Sequence, residues 1–112
     1  MPDSYCVIFT TTGNLQEAEN MARMLVSRKL AACVQITDVS STYMWQGELR
    51  KEPEHLLLIK TLSSRFADIQ AVILETSSYE VPEIVQLPVE QGLPAYLAWI
   101  SESTSSDSVP RV

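Results

Sequence analysis

Apolar and polar residues alternate in two rhythms along this chain, and the change from one rhythm to the other lays out its elements. Tyr5 to Thr12, YCVIFTTT, is rich in β-branched and aromatic residues and stops at Gly13-Asn14, a turn signal, so it predicts a first strand. Asn14 followed three places on by Glu17 forms a capping-box pattern, which predicts that a helix starts there. Leu15, Ala18, Met21, Ala22 and Leu25 recur at three- and four-residue spacing, with Gln16, Glu19, Asn20, Arg23 and Ser27 off the stripe. The helix is expected from about Leu15 to Leu30, with Arg28 and Lys29 beside the negative end of its dipole.

From Ala32 the rhythm becomes two, with Val34 and Ile36 on one parity and Val39, Tyr43 and Trp45 on the other. The switch predicts a β-bulge near Thr37 or Asp38 that would keep both sets on one face. Gln46-Gly47 is a hairpin turn signal, and a second arm follows from Glu48 to Leu62. Pro53 cannot donate to a ladder, which places its stretch at an edge or an irregularity, and the unalternated run Leu56 to Ile59 predicts cover on both faces. Ser63 or Ser64 stands ready to cap a second helix carrying Phe66, Ile69 and Ile73 and ending near Glu75. Tyr79 and Val81 to Val89 predict a short last strand, and Pro94 opens a third helix with Tyr96, Leu97, Trp99 and Ile100.

The order is that of an α+β, ferredoxin-like βαββαβ sandwich with a C-terminal helix. One domain is expected over residues 1–103, and the Ser-rich, polar stretch 104–112 is expected to be a flexible tail. Hairpin arms of about 14 residues would span on the order of 45 Å, longer than the domain that carries them. Such an arm exposes unpaired backbone and the aromatic rings of Tyr43 and Trp45 unless another chain covers them, so the pattern predicts symmetric self-association around a closed ring.

Composition narrows the function. With 112 residues, 46% of them hydrophobic and 20% charged, the chain has the make-up of one folded domain. A net charge of -6 with scattered basic residues disfavours nucleic acid, whose binding rests on clustered Lys and Arg. The longest aliphatic run, Leu56 to Ile59, is far too short to span a membrane, and Met-Pro-Asp-Ser lacks the marks of a secretory signal, so a cytoplasmic location is the expectation. Cys6 and Cys33 are too few for a disulfide framework and too far apart for a paired zinc motif, and read as buried, reduced thiols. Gly13, Gly47 and Gly92 all fall at turns, and no phosphate-cradling loop, nucleophile elbow or metalloprotease helix is present, so the expectation is a protein that binds rather than catalyses.

Five segments, KLAACV at Lys29 to Val34, SSTYMWQGEL at Ser40 to Leu49, LIKT at Leu58 to Thr61, YEVPEIV at Tyr79 to Val85 and YLAWI at Tyr96 to Ile100, carry a resemblance in order over almost the whole chain. Together they resemble the divalent-cation tolerance family, often called CutA. The resemblance implies a ferredoxin-like subunit in a homotrimer joined through the long hairpins, laid out like the PII signalling trimers, with Tyr43, Trp45 and Leu49 at the interface. It also implies a relation to metal, with a divalent cation such as copper as candidate ligand. Where many relatives read His-Pro-Tyr this chain reads Ser77-Ser78-Tyr79, and the cysteine that some members carry near the end of strand one aligns with Thr10. Thr10, Thr76 and Ser77 thus offer only hydroxyls, which copper takes poorly compared with thiolate and imidazole.

Glu52, Lys60, Tyr79 and Glu83 are the candidate residues of a cleft between subunits that would take a small ligand or cation, with an ion-pair network fixing the trimer as the plain alternative. An enzyme built here would use Glu83 or Glu52 as base and Lys60 or Tyr79 to polarise a substrate. A metal buffer would draw on Cys6, Cys33, His55 or surface carboxylates, although the single histidine, His55, reads first as a structural residue.

Overall fold

In the computed structural model, which describes residues 3–105, the elements run β1 (Tyr5–Thr12), α1 (Leu15–Ser27), β2 (Cys33–Trp45), β3 (Glu48–Leu62), α2 (Phe66–Thr76), β4 (Val85–Pro88) and α3 (Pro94–Ser103). The four strands form one antiparallel sheet in the order β2-β3-β1-β4. This is the ferredoxin-like arrangement that the alternation of elements predicts.

Period two decides what each face of the sheet does. Ile8 pairs with Ile59, Ile36 with Leu57 and Val34 with Ile59, so these residues share one face. That face meets Ala18, Met21 and Leu25 of α1 and Ile69 and Ile73 of α2 in a core whose central members are fully buried. On the opposite face lie Val7, Phe9, Leu56 and Leu58, half-buried, with Val85 and Leu87 exposed. Leu56 and Leu58 therefore have only partial cover within one subunit, where the unalternated run predicts cover on both faces.

The hairpin contains no bulge. Its register is unbroken from Cys33 opposite Lys60 to Trp45 opposite Glu48, which corrects the bulge expected near Thr37 or Asp38. The parity switch has a different cause. Val34 and Ile36 face the helices, whereas Val39, Tyr43 and Trp45, beyond the helix layer, carry their apolar groups to the other face. β1 pairs with β3 only from His55 to Leu62, so residues 48–54 run on with β2 alone, and Pro53 sits in this edge stretch. At the tip Gln46 and Gly47 have φ of 50° and 80°, a two-residue turn of the kind that matches strand twist. The overhang stretches the molecule to 48 × 30 × 22 Å.

Three element ends differ from the sequence expectation, each for a local reason. Helix α1 stops at Ser27 rather than Leu30, because Lys29 turns to φ 60° and the amides of Lys29 and Leu30 bond back to Val26 and Leu25 in a Schellman closure. Neither Ser63 nor Ser64 caps α2; a 3₁₀ turn leads into it, and the Ser64 hydroxyl donates to Asp3 instead. The last strand is only Val85–Pro88: residues 79–84 are irregular, with the Tyr79 amide and phenol bonded to Ser77 and Glu54, and Pro82 has no N–H to give. The described fold reaches Ser105, with Thr104 fully buried and its carbonyl accepting from Arg65. The rest of the expected tail, 106–112, lies outside the described residues.

Candidate functional site

Where the hairpin leaves the body of the domain, its open face meets the irregular segment 77–84, and the two enclose adjoining hollows. One, of about 460 Å³, is lined by Thr11, Tyr43, Glu54, Tyr79 and Glu83 among others. Its neighbour, of about 380 Å³, is lined by Tyr43, Trp45, Arg50, Glu52, Tyr79 and Glu80 among others. Tyr43 and Tyr79 belong to both.

Tyr79 is set in place by its own contacts and by those of its neighbour Ser78. Asn14 caps α1 by accepting from the Glu17 amide at 3.1 Å, but Glu17 does not reach back to complete the capping box. Its carboxylate instead accepts from the Ser78 amide and the Ser78 hydroxyl, both at 2.9 Å, which ties segment 77–84 to the first turn of α1. Gly13 then leaves room for the ring: a Cβ there would come within 3.0 Å of the Tyr79 Oη. The phenol donates to Glu54 Oε2 at 2.7 Å. Burial first, then the hydrogen bond to Glu54, pushes the Tyr79 phenol well above its ordinary range. Tyr43 is likewise shifted up, chiefly by its hydrogen bond to Glu52. Both phenols are therefore neutral donors at physiological pH rather than bases or nucleophiles.

Two phenol–carboxylate pairs thus stand side by side, with the Arg50 guanidinium 3.8 Å from Glu48 and 3.9 Å from Glu52. These distances are loose for ion pairs and the groups are exposed, so they steer more than they stabilise. Such a site can hold a small polar ligand between donors and carboxylates.

Of the residues expected in a cleft, Glu52, Tyr79 and Glu83 line these two hollows, while Lys60 does not. Lys60 is six positions along β3 from Glu54, roughly 20 Å away, where it lies over the Tyr96 ring. Sequence reasoning missed Glu54 and Arg50, although alternation puts both on the face of Glu52, since even positions of β3 share one side. Among the expected interface residues, Tyr43 and Trp45 lie on the open face, and Leu49 points to the other face opposite Met44. All three are exposed, Leu49 at 73%.

The metal question turns on donors. Thr10 is fully buried on the helix side with its hydroxyl unpartnered, Thr76 donates to the Val72 carbonyl at 2.7 Å, and the Ser77 hydroxyl accepts from the Tyr79 amide at 3.1 Å. Cys6 and Cys33 project to opposite faces of the sheet. His55 holds Asp38 at 2.8 Å. Among the described residues no three His, Cys, Asp or Glu side chains converge on one point. These residues do not fit a copper centre, which wants thiolate or imidazole.

A family model described as CutA1 divalent ion tolerance protein matches residues 6–103. Protein CutA of Mus musculus is 39% identical over 109 residues, covering 96% of this chain and 62% of the mouse protein, so the chain spans under two thirds of that relative. The Archaeoglobus fulgidus CutA structure, described as that of a periplasmic divalent cation tolerance protein, superposes with a TM-score of 0.88 at 36% identity, over 90% of this chain and 99% of that one. The CutA1 structure from Thermus thermophilus gives 0.87 at 38% identity, again over 90% and 99%.

Proposed function

Since the chain belongs to the CutA1 divalent ion tolerance family, we propose that it works as a cytoplasmic homotrimer that binds a small polar ligand in clefts between subunits, as a regulatory or binding protein without catalytic turnover. One observation carries this reading. Beyond the end of the sheet that α3 covers, a single subunit leaves the face carrying Phe9, Leu56, Leu58, Val85 and Leu87, together with the Tyr43 and Trp45 rings, short of cover. Contiguous apolar surface of this kind marks an association site. A closed ring lets every copy cover the same face of its neighbour and leaves no edge for open-ended growth.

In such a ring the hollows around Tyr43 and Tyr79 lie beside the neighbour's surface, and their two phenols and the carboxylates Glu52, Glu54 and Glu83 supply the recognition groups. The phenols, held neutral, donate hydrogen bonds but do not take up protons at neutral pH, and this favours binding over acid–base chemistry. Two free cysteines suit a reducing compartment.

Light scattering on the intact protein at micromolar concentration tests the assembly. The expected mass is three times the 12.5 kDa of one chain, and a mass of one chain would overturn the reading.

A further inference from the structure

At the far end of the sheet from the hairpin tip, α3 and the loop before it close over β1 and β3 and leave a separate cavity of about 220 Å³. Its walls are apolar, with Val7, Val89, Leu97 and Ile100 prominent, and among the described residues that line it Lys60 is the one charged side chain. The Lys60 ammonium stands 5.7 Å from the centroid of the Tyr96 ring. Among the described residues no carboxylate lines the cavity to neutralise it. The pocket is built into the fold: the Tyr5 and Ser101 hydroxyls bond at 2.7 Å and fasten α3 to β1. Gly92 lets the loop close down on α3, because a Cβ there would come within 2.9 Å of Leu97 Cδ2.

We infer that this cavity binds a small organic monocarboxylate, with its apolar body against Val7, Leu97 and Ile100 and its carboxylate on Lys60. The chemistry follows from the lining. An apolar hollow with one convergent polar group is the ordinary form of a small-molecule site. A cation over an aromatic face keeps an open side for an anion, and a charge-assisted hydrogen bond gains strength where water is excluded. Size sets the upper limit: the cavity holds roughly seven water volumes at about 30 Å³ each, which admits a six-carbon acid or benzoate and excludes long-chain fatty acids. This site is distinct from the hollows around Tyr79, so it stands or falls independently of the function proposed above.

Titration calorimetry of the full chain with hexanoate tests it, with hexylamine and 1-hexanol as controls. Hexanoate is expected to saturate one site per chain with a Kd of roughly 0.1–1 mM, the amine giving no binding and the alcohol binding at least tenfold more weakly. Lys60→Met should weaken hexanoate at least tenfold and Lys60→Arg should restore most of the affinity, while Leu97→Phe should fill the cavity and abolish binding. The solution mass of each variant is read alongside. The proposal is overturned if hexanoate gives no saturable heat or if Lys60→Met binds it as tightly as the parent; a changed oligomeric mass in Lys60→Met beside either result would make Lys60 an interface ion-pair residue instead.

Discussion

Leu58→Asp is expected to break the assembly into folded single subunits, bringing the light-scattering mass from about three chains down to the 12.5 kDa of one. Leu58 sits opposite Phe9 on the face turned away from α1 and α2, and is only half-buried within its own subunit. A carboxylate there therefore stays in water in the separated subunit and costs the fold little. In the ring the same carboxylate would be buried among apolar side chains without a partner, and an unpaired buried charge costs several kcal/mol. Symmetry repeats that cost at every interface. Circular dichroism should be unchanged. A trimer that survives the substitution would mean that this face is not the contact.

The neighbouring substitution Ile59→Ala should do the reverse. Ile59 is fully buried on the helix side, between Ile8 and Val34 in the sheet. Truncating it removes buried methyl and methylene groups and leaves a cavity that a close-packed core fills only in part, a loss of about 2–5 kcal/mol per subunit. Chemical denaturation at fixed protein concentration should show a lower midpoint with the slope retained, and the mass of the folded species should not change. Two adjacent residues of one strand thus separate association from subunit stability. Loss of the oligomer in Ile59→Ala, with the subunit still folded, would show that the two faces are not independent.

The contrast between these residues also shows what the sequence could and could not reveal. β1, both hairpin arms, the turn at Gln46-Gly47 and the start of α3 at Pro94 were legible because each depends on local chemistry: alternation, a positive φ, a proline at the first helical position. The parity switch in β2 was visible too, but its meaning was not. A bulge and the end of a helix layer leave the same trace in one strand, and only the register, which depends on β3, separates them. Residues 79–84 read as strand because Tyr, Val and Ile favour it, yet the start of this segment is tied down by residues distant in sequence, Ser78 before it by Glu17 and Tyr79 by Glu54.

The site followed the same division. Tyr79, Glu83 and Glu52 could be picked out by residue type and segment; Tyr79 lines both of the paired hollows, Glu83 one and Glu52 the other. Lys60 could not be separated from them in one dimension, although it is roughly 20 Å along the strand and belongs to the cavity under α3. Glu54 was passed over because nothing local marks it; its role comes from Tyr79, 25 positions away.

The claim beneath all of this is that sister copies cover the hairpin and the open sheet face. Hydrogen exchange on β2, the edge strand, tests it most directly, because in a lone subunit those amides of Cys33–Trp45 that point away from β3 have no strand to pair with. At tens of micromolar protein these outward amides should be protected, and in Leu58→Asp they should exchange rapidly. Rapid exchange of the same amides in the intact protein, at every concentration, would contradict the account.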